Sequence, residues 1–163
     1  GNDAQIKLFC ETTFGVTFPI MQKINVLGED THPLFEQIKK EMNGEVWFKV
    51  DAGTEETIKA INQVNLKPHQ ILERLKNSAN ACPTFIQTCI FTIDGKGPNR
   101  KDIDAYIALI NEVKSSIQGV HLYGLARPSL QPQAKNLGRI SEDILQDIAK
   151  ELRSLNIAAT VSY

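Results

Sequence analysis

The sequence contains no apolar run long enough to cross a membrane, because such a span needs roughly 18 consecutive apolar residues. It also has no surplus of either charge, and its net charge is −1 at pH 7. A balanced charge argues against a nucleic-acid-binding surface and against an acidic disordered tail. We therefore expect neither a membrane nor a nucleic acid as partner.

Cysteine is scarce and odd in number, with one residue at each of positions 10, 82 and 89. An odd count argues against the paired disulfide framework of small secreted proteins. The chain opens Gly-Asn-Asp, with no signal-peptide pattern and no initiating Met. We expect a cytoplasmic protein in a reducing environment, and either a cleavage scar at Gly1 or a start inside a longer gene.

Several local motifs of active sites are missing as well. The sequence has no G-x-S-x-G nucleophile motif, no P-loop and no G-x-G-x-x-G fingerprint. A structural zinc site needs four ligands at short spacings. His32, His69 and His121 are far apart in the sequence, and no two further ligands lie close to Cys82 and Cys89. We therefore predict no metal site.

What the sequence does have is a repeated alternation of strand and helix patterns. Its length allows one domain of ordinary size with a proper core, and 42% of its residues are hydrophobic. The strand patterns cover residues 16–26, 46–50, 84–91, 120–125 and 157–161, and helical patterns include 3–11 and 32–42. Alternation of this kind is typical of βαβ units. We predict an α/β fold with an open parallel sheet of about five strands and flanking helices, either flavodoxin-like or a half barrel, in a single composite domain over residues 1–163.

Local signals refine the prediction of four elements. Thr54 and Asn99 are predicted to cap helices, and the helix after Asn99 carries an apolar stripe. The run Val46–Val50 is almost continuously apolar, which is typical of a strand buried on both faces. The last helix is predicted to begin after Ser141 and to present one apolar face, formed by Ile144, Leu145, Ile148, Leu152 and Leu155.

Polar residues lie at or near the ends of three predicted strands. Asp51 closes the strand over 46–50, Arg127 follows the strand over 120–125, and Gln87 lies inside the strand over 84–91. In α/β folds, groups at the carboxyl ends of neighbouring parallel strands can converge on one ligand. A structural role is the alternative: Gln87 would satisfy a neighbouring backbone group, and Lys49 would pair with Asp51 or another acid.

Residues 1–41 resemble the middle of a glutathione peroxidase, through "FCETTFGVTFPIMQKINVLGED" and "HPLFEQIKK". In the thioredoxin-using branch of that family, the cysteine of the Phe-Cys pair is the resolving cysteine, a role that the resemblance gives to Cys10. The peroxidatic cysteine or selenocysteine of the family, its glutamine and its Trp-Asn pair are not found in these residues. Trp47 lies beyond this stretch and is followed by Phe48 instead of Asn. From its position alone, near the end of a helix that stops before Gly15, Cys10 is predicted to be a buried, inert thiol.

Residues 43–163 resemble the C-terminal half of a radical S-adenosylmethionine enzyme, similar to the wybutosine-synthesis and molybdenum-cofactor enzymes. The resemblance rests on "NGEVWFKVDAGTEETIKAIN", "PTFIQTCIFTIDGKGPN" and "GVHLYGLARPSLQP". It implies a partial βα barrel whose strand ends hold S-adenosylmethionine, with Lys49, Asp51, Gln87 and the stretch from Tyr123 to Arg127 facing that ligand. The Cys-x3-Cys-x2-Cys motif of the family is not present among these residues, so we expect no iron–sulfur cluster.

Together the two resemblances indicate a chimera, joined near Glu41 to Asn43. Our first interpretation is a recombined domain without a complete active site and without catalytic activity. The second is a fragment that keeps weak affinity for S-adenosylmethionine or a related nucleoside, with a Kd of about 1 mM or −4 kcal/mol. The third is a thiol redox protein that uses Cys10 with Cys82 or Cys89. We also expect that exposed sheet edges or cut faces could support a homodimer.

Overall fold

The computed structural model describes residues 3–19, residue 33, and residues 44–126 and 132–163 of the chain. The chain divides into two compact units, Gly1–Met42 and Asn43–Tyr163. The division lies within the interval from residue 41 to residue 43, where the two resemblances meet. That the two units form a single composite domain stays a prediction. Within the described ranges, no helix is both long and apolar enough to cross a membrane.

The first unit contains helix α1 (Asp3–Phe14), three residues longer at its C-terminus than predicted. It ends as expected before Gly15, whose φ of 62° is left-handed. Glycine adopts this conformation without the steric cost of a Cβ, which makes it a common helix terminator. The amide of Gly15 donates to the carbonyl of Glu11 at 3.2 Å, so the helix end is hydrogen-bonded.

Two further predictions for this unit fall largely outside the described residues. Of the predicted strand over 16–26, only residues 16–19 are described, and they have no regular structure. Of the predicted helix over 32–42, only residue 33 is described, and it is helical.

The second unit alternates strands and helices along its whole described length. Its elements are β1 (Val46–Lys49), α2 (Glu55–Asn62), α3 (Pro68–Ala81), β2 (Thr84–Ile93), α4 (Arg100–Asn111), β3 (Gly119–Gly124), a 3-10 turn (Pro132–Asn136), β4 (Leu137–Arg139), α5 (Glu142–Ser154) and β5 (Ala159–Ser162).

These strands form one five-stranded sheet, which confirms the predicted α/β class. Strands β1, β2, β3 and β5 are parallel and adjacent in that order, and β4 pairs antiparallel with the last residues of β2. The register places Lys49, Gln87, His121 and Thr160 side by side across the four parallel strands. The side chains of these four residues therefore share one face of the sheet.

The strand order also decides between the two predicted arrangements. Each parallel strand lies beside the next parallel strand in the sequence, without the reversal of direction that defines a flavodoxin-like sheet. Right-handed crossovers that always advance in one direction place their helices on one face. Burial alternates accordingly along β2, where Thr84, Ile86, Thr88 and Ile90 are buried and the residues between them are half-buried. The second unit is thus wound like a half barrel.

Capping residues fix where two of the helices begin. The Thr54 hydroxyl accepts a hydrogen bond from the amide of Thr57 at 3.2 Å, and the Thr57 hydroxyl accepts one from the amide of Thr54 at 3.3 Å. The Asn99 side chain accepts from the amide of Asp102 at 3.0 Å. Both caps were predicted, and each satisfies an amide that has no partner within its helix.

The core lies between the sheet and its helices. Its most deeply buried side chains are mainly Ile, Leu and Val, and come from every helix of the second unit. They include Ile58, Leu75, Ile86, Ile110, Val113, Leu122, Leu145, Ile148 and Leu152. The predicted stripe of α4 comprises Ile103, Tyr106, Ile107, Ile110 and Val113. It is confirmed, because the last four are buried and Ile103 is half-buried against the core.

Two predictions about strands are wrong. Strand β1 is not buried on both faces, because it is the first strand of the sheet order and Trp47 remains 47% exposed. Strand β4 was not predicted at all. It has only three residues and follows two prolines, so the sequence there has the pattern of a loop.

One residue of the last helix was also assigned to the wrong face. Leu145, Ile148 and Leu152 are buried as predicted, but Ile144 is 38% exposed. Ile144 immediately precedes Leu145, and adjacent helical residues point about 100° apart. The buried stripe therefore follows the spacing of three and four residues and leaves Ile144 at its margin.

Candidate functional site

The side of the sheet away from the helices carries the polar and aromatic groups of the unit. We call this side the open face. It presents Trp47 and Lys49 from β1, Phe85, Gln87 and Cys89 from β2, His121 and Tyr123 from β3, and Thr160 and Ser162 from β5. None of these side chains is fully buried. The open face is therefore the accessible surface of the described sheet.

A charged cluster lies at the carboxyl ends of β1 and β3. The ammonium group of Lys49 donates to Asp51 Oδ1 at 2.6 Å and to the hydroxyl of Tyr123 at 3.1 Å. The same ammonium lies 5.2 Å from the centroid of the Tyr123 ring, within the range of a cation–π contact. The structure thus brings together three of the residues predicted for the site.

Asp51 is the most tightly held member of this cluster. Its Oδ1 also accepts from the backbone amide of Cys89 at 2.9 Å, and its Oδ2 accepts from the Asn62 side chain at 3.1 Å. Its side chain is 4% exposed, whereas that of Lys49 is 48% exposed. A buried carboxylate needs such donors because desolvation of an unpaired charge is costly. Asp51 therefore fixes the ammonium of Lys49, which remains open to solvent.

The surroundings shift the pKa of two groups in the cluster. Burial, the largest single influence on Lys49, lowers its pKa, but the hydrogen bond and charge of Asp51 together with Tyr123 outweigh it, so the pKa is raised. Lys49 consequently stays cationic at neutral pH. Burial raises the pKa of the Cys89 thiol, against a smaller lowering effect of Lys49. Cys89 is thus protonated at neutral pH and a poor nucleophile.

A row of aromatic rings crosses the open face beside the charged cluster. The rings of Trp47 and Phe85 stack with centroids 5.0 Å apart, and Trp47 meets the His121 ring edge-on at 5.9 Å. His121 in turn stacks on Tyr123 at 6.0 Å. The indole of Trp47 donates to the Glu45 carboxylate at 2.7 Å. These contacts give the open face a continuous row of packed rings.

A cavity of about 570 Å³ borders the charged cluster. Its wall includes Lys49, Asp51, Asn62, Cys89 and Tyr123. This volume lies within the usual range of small-molecule sites, roughly 300–1,000 Å³. A polar cluster in such a cavity can bind a ligand that carries an anionic group.

The other predicted site residues have different outcomes. Gln87 lies on the open face, level with Lys49 in the sheet register, but it does not line the cavity. Arg127 lies outside the described residues. Cys10 is half-buried in α1, not buried as predicted, and is a free thiol like Cys82 and Cys89.

Cys82 and Cys89 are too far apart to form a disulfide within one chain. Cys82 precedes β2 and lies at the end of α3, while Cys89 is five residues beyond the start of β2 at Thr84. A strand rises by about 3.3 Å per residue, so Cys89 is roughly 16 Å beyond Thr84. Disulfides require Cα atoms less than about 7 Å apart.

Sequence reasoning missed two groups that support Asp51. Cys89 was considered only as a metal or redox residue, whereas it supports Asp51 through its backbone amide. The position of this amide beside Asp51 depends on how β2 pairs with β1, which no local pattern in the sequence indicates. Asn62 is the last residue of α2, and its approach to Asp51 depends on how that helix returns to the sheet. No local pattern in the sequence indicates this contact.

Comparison with known families matches the N-terminal part of the chain. The glutathione peroxidase family model matches residues 1–39. Thioredoxin/glutathione peroxidase BtuE of Escherichia coli (strain K12) is 53% identical over 38 residues, which are 23% of this chain and 21% of that protein. Glutathione peroxidase homolog BsaA of Bacillus subtilis (strain 168) is 46% identical over 44 residues, 27% of this chain and 28% of that protein. The chain thus spans between a fifth and a third of the length of these relatives.

Comparison with solved structures shows the fold of the larger part of the chain. A domain of pyruvate-formate lyase-activating enzyme from Bacteroides vulgatus ATCC 8482 superposes with a TM-score of 0.54 at 16% identity, over 73% of this chain and 67% of that one. A radical SAM methyltransferase from Sphaerobacter thermophilus gives a TM-score of 0.58 at 14% identity, over 80% of this chain and 37% of that one. At these identities the likeness concerns the fold alone.

Proposed function

We propose that this chain is a recombined α/β protein that binds S-adenosylmethionine, or a related nucleoside, without catalysing its conversion. Residues 1–41 form the glutathione-peroxidase-like segment and residues 42–163 the radical-S-adenosylmethionine-like segment. The observation that carries the proposal is the cluster of Lys49, Asp51 and Tyr123 beside a cavity of about 570 Å³.

The chemistry of the cluster fits the polar part of such a ligand. The ammonium of Lys49 is half-exposed and held in place by Asp51, so it is ready to pair with the ligand's carboxylate. The ring of Tyr123 and the row of aromatic rings offer flat surfaces for a base. Only part of a pocket is formed by these groups, which is why the expected affinity is weak.

The absence of turnover is the second element of the proposal. The cysteines at positions 10, 82 and 89 do not have the Cys-x3-Cys-x2-Cys spacing that ligates a radical-enzyme cluster. A redox reaction would pair Cys10 with Cys82 or Cys89. Burial raises the pKa of the Cys89 thiol, which makes it a poor nucleophile. These observations support a binding protein rather than an enzyme, and three free thiols support a cytoplasmic home.

Binding should appear as a ligand-dependent rise in thermal stability. With a Kd of about 1 mM, 10 mM S-adenosylmethionine stabilises the folded state by about 1.4 kcal/mol, or roughly 3–6 °C in Tm. Lys49→Met keeps the aliphatic stem but removes the cation, and we expect it to abolish the shift. The measurement is a near-UV circular dichroism melt with and without ligand, followed by chromatography of the recovered ligand.

The matched control is Lys101→Met, which removes an exposed lysine of α4 that lines neither the cavity nor the cluster. This variant should keep the full shift. The same shift in Lys49→Met, or none in the unsubstituted protein, would remove the support for binding at this cluster. Cleaved S-adenosylmethionine in the recovered sample would contradict the absence of turnover.

The alternative of a thiol redox protein is favoured by one observation, the match of residues 1–39 to the glutathione peroxidase family model. We expect thioredoxin-dependent peroxide consumption to equal the protein-free blank, and Cys10→Ser to leave it unchanged. A resolving cysteine attacks only a cysteine that a peroxide has already oxidised. Consumption above the blank that disappears in Cys10→Ser would establish the redox function instead.

A further inference from the structure

A second cavity, of about 340 Å³, lies between the carboxyl ends of β1 and β2 and the helices α2, α4 and α5. Its walls are mostly apolar and come from several separate elements. They include Ala52, Ile61, Ile90, Ile103, Tyr106 and Ile148. Ile90, Tyr106 and Ile148 also belong to the buried core, so this part of the wall is rigidly packed.

Three uncharged polar side chains that line this cavity already have partners. The Tyr106 hydroxyl is 2.7 Å from the hydroxyl of Thr88, which donates to the carbonyl of Val50. The Asn99 side chain caps α4. The hydroxyl of Thr57 is 2.6 Å from that of Thr54 within the helix cap. A molecule in this cavity would therefore not be needed as a hydrogen-bond partner by these three side chains.

Three charged side chains line the cavity, and two of them, Lys96 and Asp102, have opposite charges that offset each other. Asp51 lines both cavities, but its carboxylate is taken up by Lys49, Asn62 and the amide of Cys89. Asp51 and Cys89 thus form part of a partition, with the exposed ammonium of Lys49 on the side of the first cavity only. The second cavity differs from the first in chemistry, although the two are neighbours.

We propose that the second cavity is a separate binding site for a small, uncharged, apolar ring compound of about the size of indole. An apolar cavity of roughly 150 Å³ is large enough for benzene, and apolar cavities do not hold water well. At about 340 Å³ this cavity accommodates a fused two-ring system. The binding energy would come from burial of the ring against the isoleucine side chains. This site does not depend on the proposed binding of S-adenosylmethionine.

Indole is the probe that tests this site. In a titration followed by ¹H–¹⁵N correlation spectra of the full chain, we expect saturable shift changes centred on the amides of Ala52, Ile90 and Ile103. Ile103 lines the second cavity and not the first. Ile103→Trp should fill the cavity and weaken indole binding at least tenfold, while the Lys49-dependent binding of S-adenosylmethionine remains.

The matched control is Ile144→Trp, the same substitution at a 38% exposed position of α5 that lines neither cavity. This variant should bind indole within twofold of the unsubstituted protein. In spectra of the unsubstituted protein, shift changes centred on Trp47 and Phe85 would place indole on the open face instead and overturn the proposal. The absence of saturable shift changes would also overturn it. Equal indole affinity in a folded Ile103→Trp protein would overturn it too.

Discussion

The substitution Gly53→Ala should lower the free energy of unfolding by about 3 kcal/mol or more, the largest loss that we expect from a single methyl group in this protein. Gly53 is buried in the turn between β1 and α2, directly against the backbone of α4. A Cβ at this position would lie less than 3 Å from the backbone amide nitrogen of Tyr106 and the carbonyl carbon of Ala105. Backbone atoms in the middle of a helix cannot move aside as a flexible side chain can.

The measurement is equilibrium unfolding in urea, with Gly44→Ala as the matched control. Gly44 is exposed and has no atom within 4 Å of an added Cβ, so its substitution should change the stability by no more than about 0.5 kcal/mol. Because a domain of this kind has a total stability of about 5–15 kcal/mol, the loss at Gly53 should also be visible in expression and Tm. Equal stabilities of the two variants would show that α4 does not approach the turn so closely.

The substitution Thr88→Val is expected to cost about 2–4 kcal/mol, although it hardly changes the volume of the side chain. Thr88 is fully buried, and its hydroxyl donates to the Val50 carbonyl while the Tyr106 hydroxyl lies 2.7 Å away. Valine would leave both of these groups buried without a partner. Burial raises the pKa of Tyr106, so its hydroxyl stays protonated and keeps its need for an acceptor.

A double-mutant cycle with Tyr106→Phe separates this effect from simple repacking. Tyr106→Phe alone should cost about 1 kcal/mol, since Thr88 keeps its bond to Val50. In the double variant the unpaired hydroxyl of Tyr106 is gone, so the combined loss should be smaller than the sum of the two single losses. Strict additivity would mean that the two hydroxyls do not interact.

The predictions from sequence succeeded where the signal was local or periodic. The caps at Thr54 and Asn99 and the stripe of α4 depend on residues within a few positions of one another, and all were confirmed. The exposure of β1 could not be predicted from local signals. Val46–Val50 has the composition of a buried strand, but burial depends on what covers the strand, which its own residues do not encode.

The residues of the candidate site could be predicted where the signal was local, but most of their contacts could not. Asp51 was found because strand ends in α/β folds are common ligand sites, and its contact with Lys49 follows from alternation along one strand. The contact with Tyr123 joins residues 74 positions apart and depends on the register of three strands. Register is set by packing of the whole sheet, so the sequence indicated the participants but not their distances.

The order of strands in the sheet bears on how much of the second unit depends on the chain ahead of β1. Every parallel strand of the second unit pairs with its nearest parallel neighbours in the chain, so each βα unit depends mainly on the unit before it and the unit after it. A change in the chain ahead of β1 therefore leaves the pairing of β1 with β2, of β2 with β3 and of β3 with β5 intact. In a sheet whose strand order reverses, the first strand lies in the interior of the sheet, so the same change would affect its neighbours on both sides. Folds wound in one direction can thus lose or acquire units at their first strand while the remaining units keep their native partners.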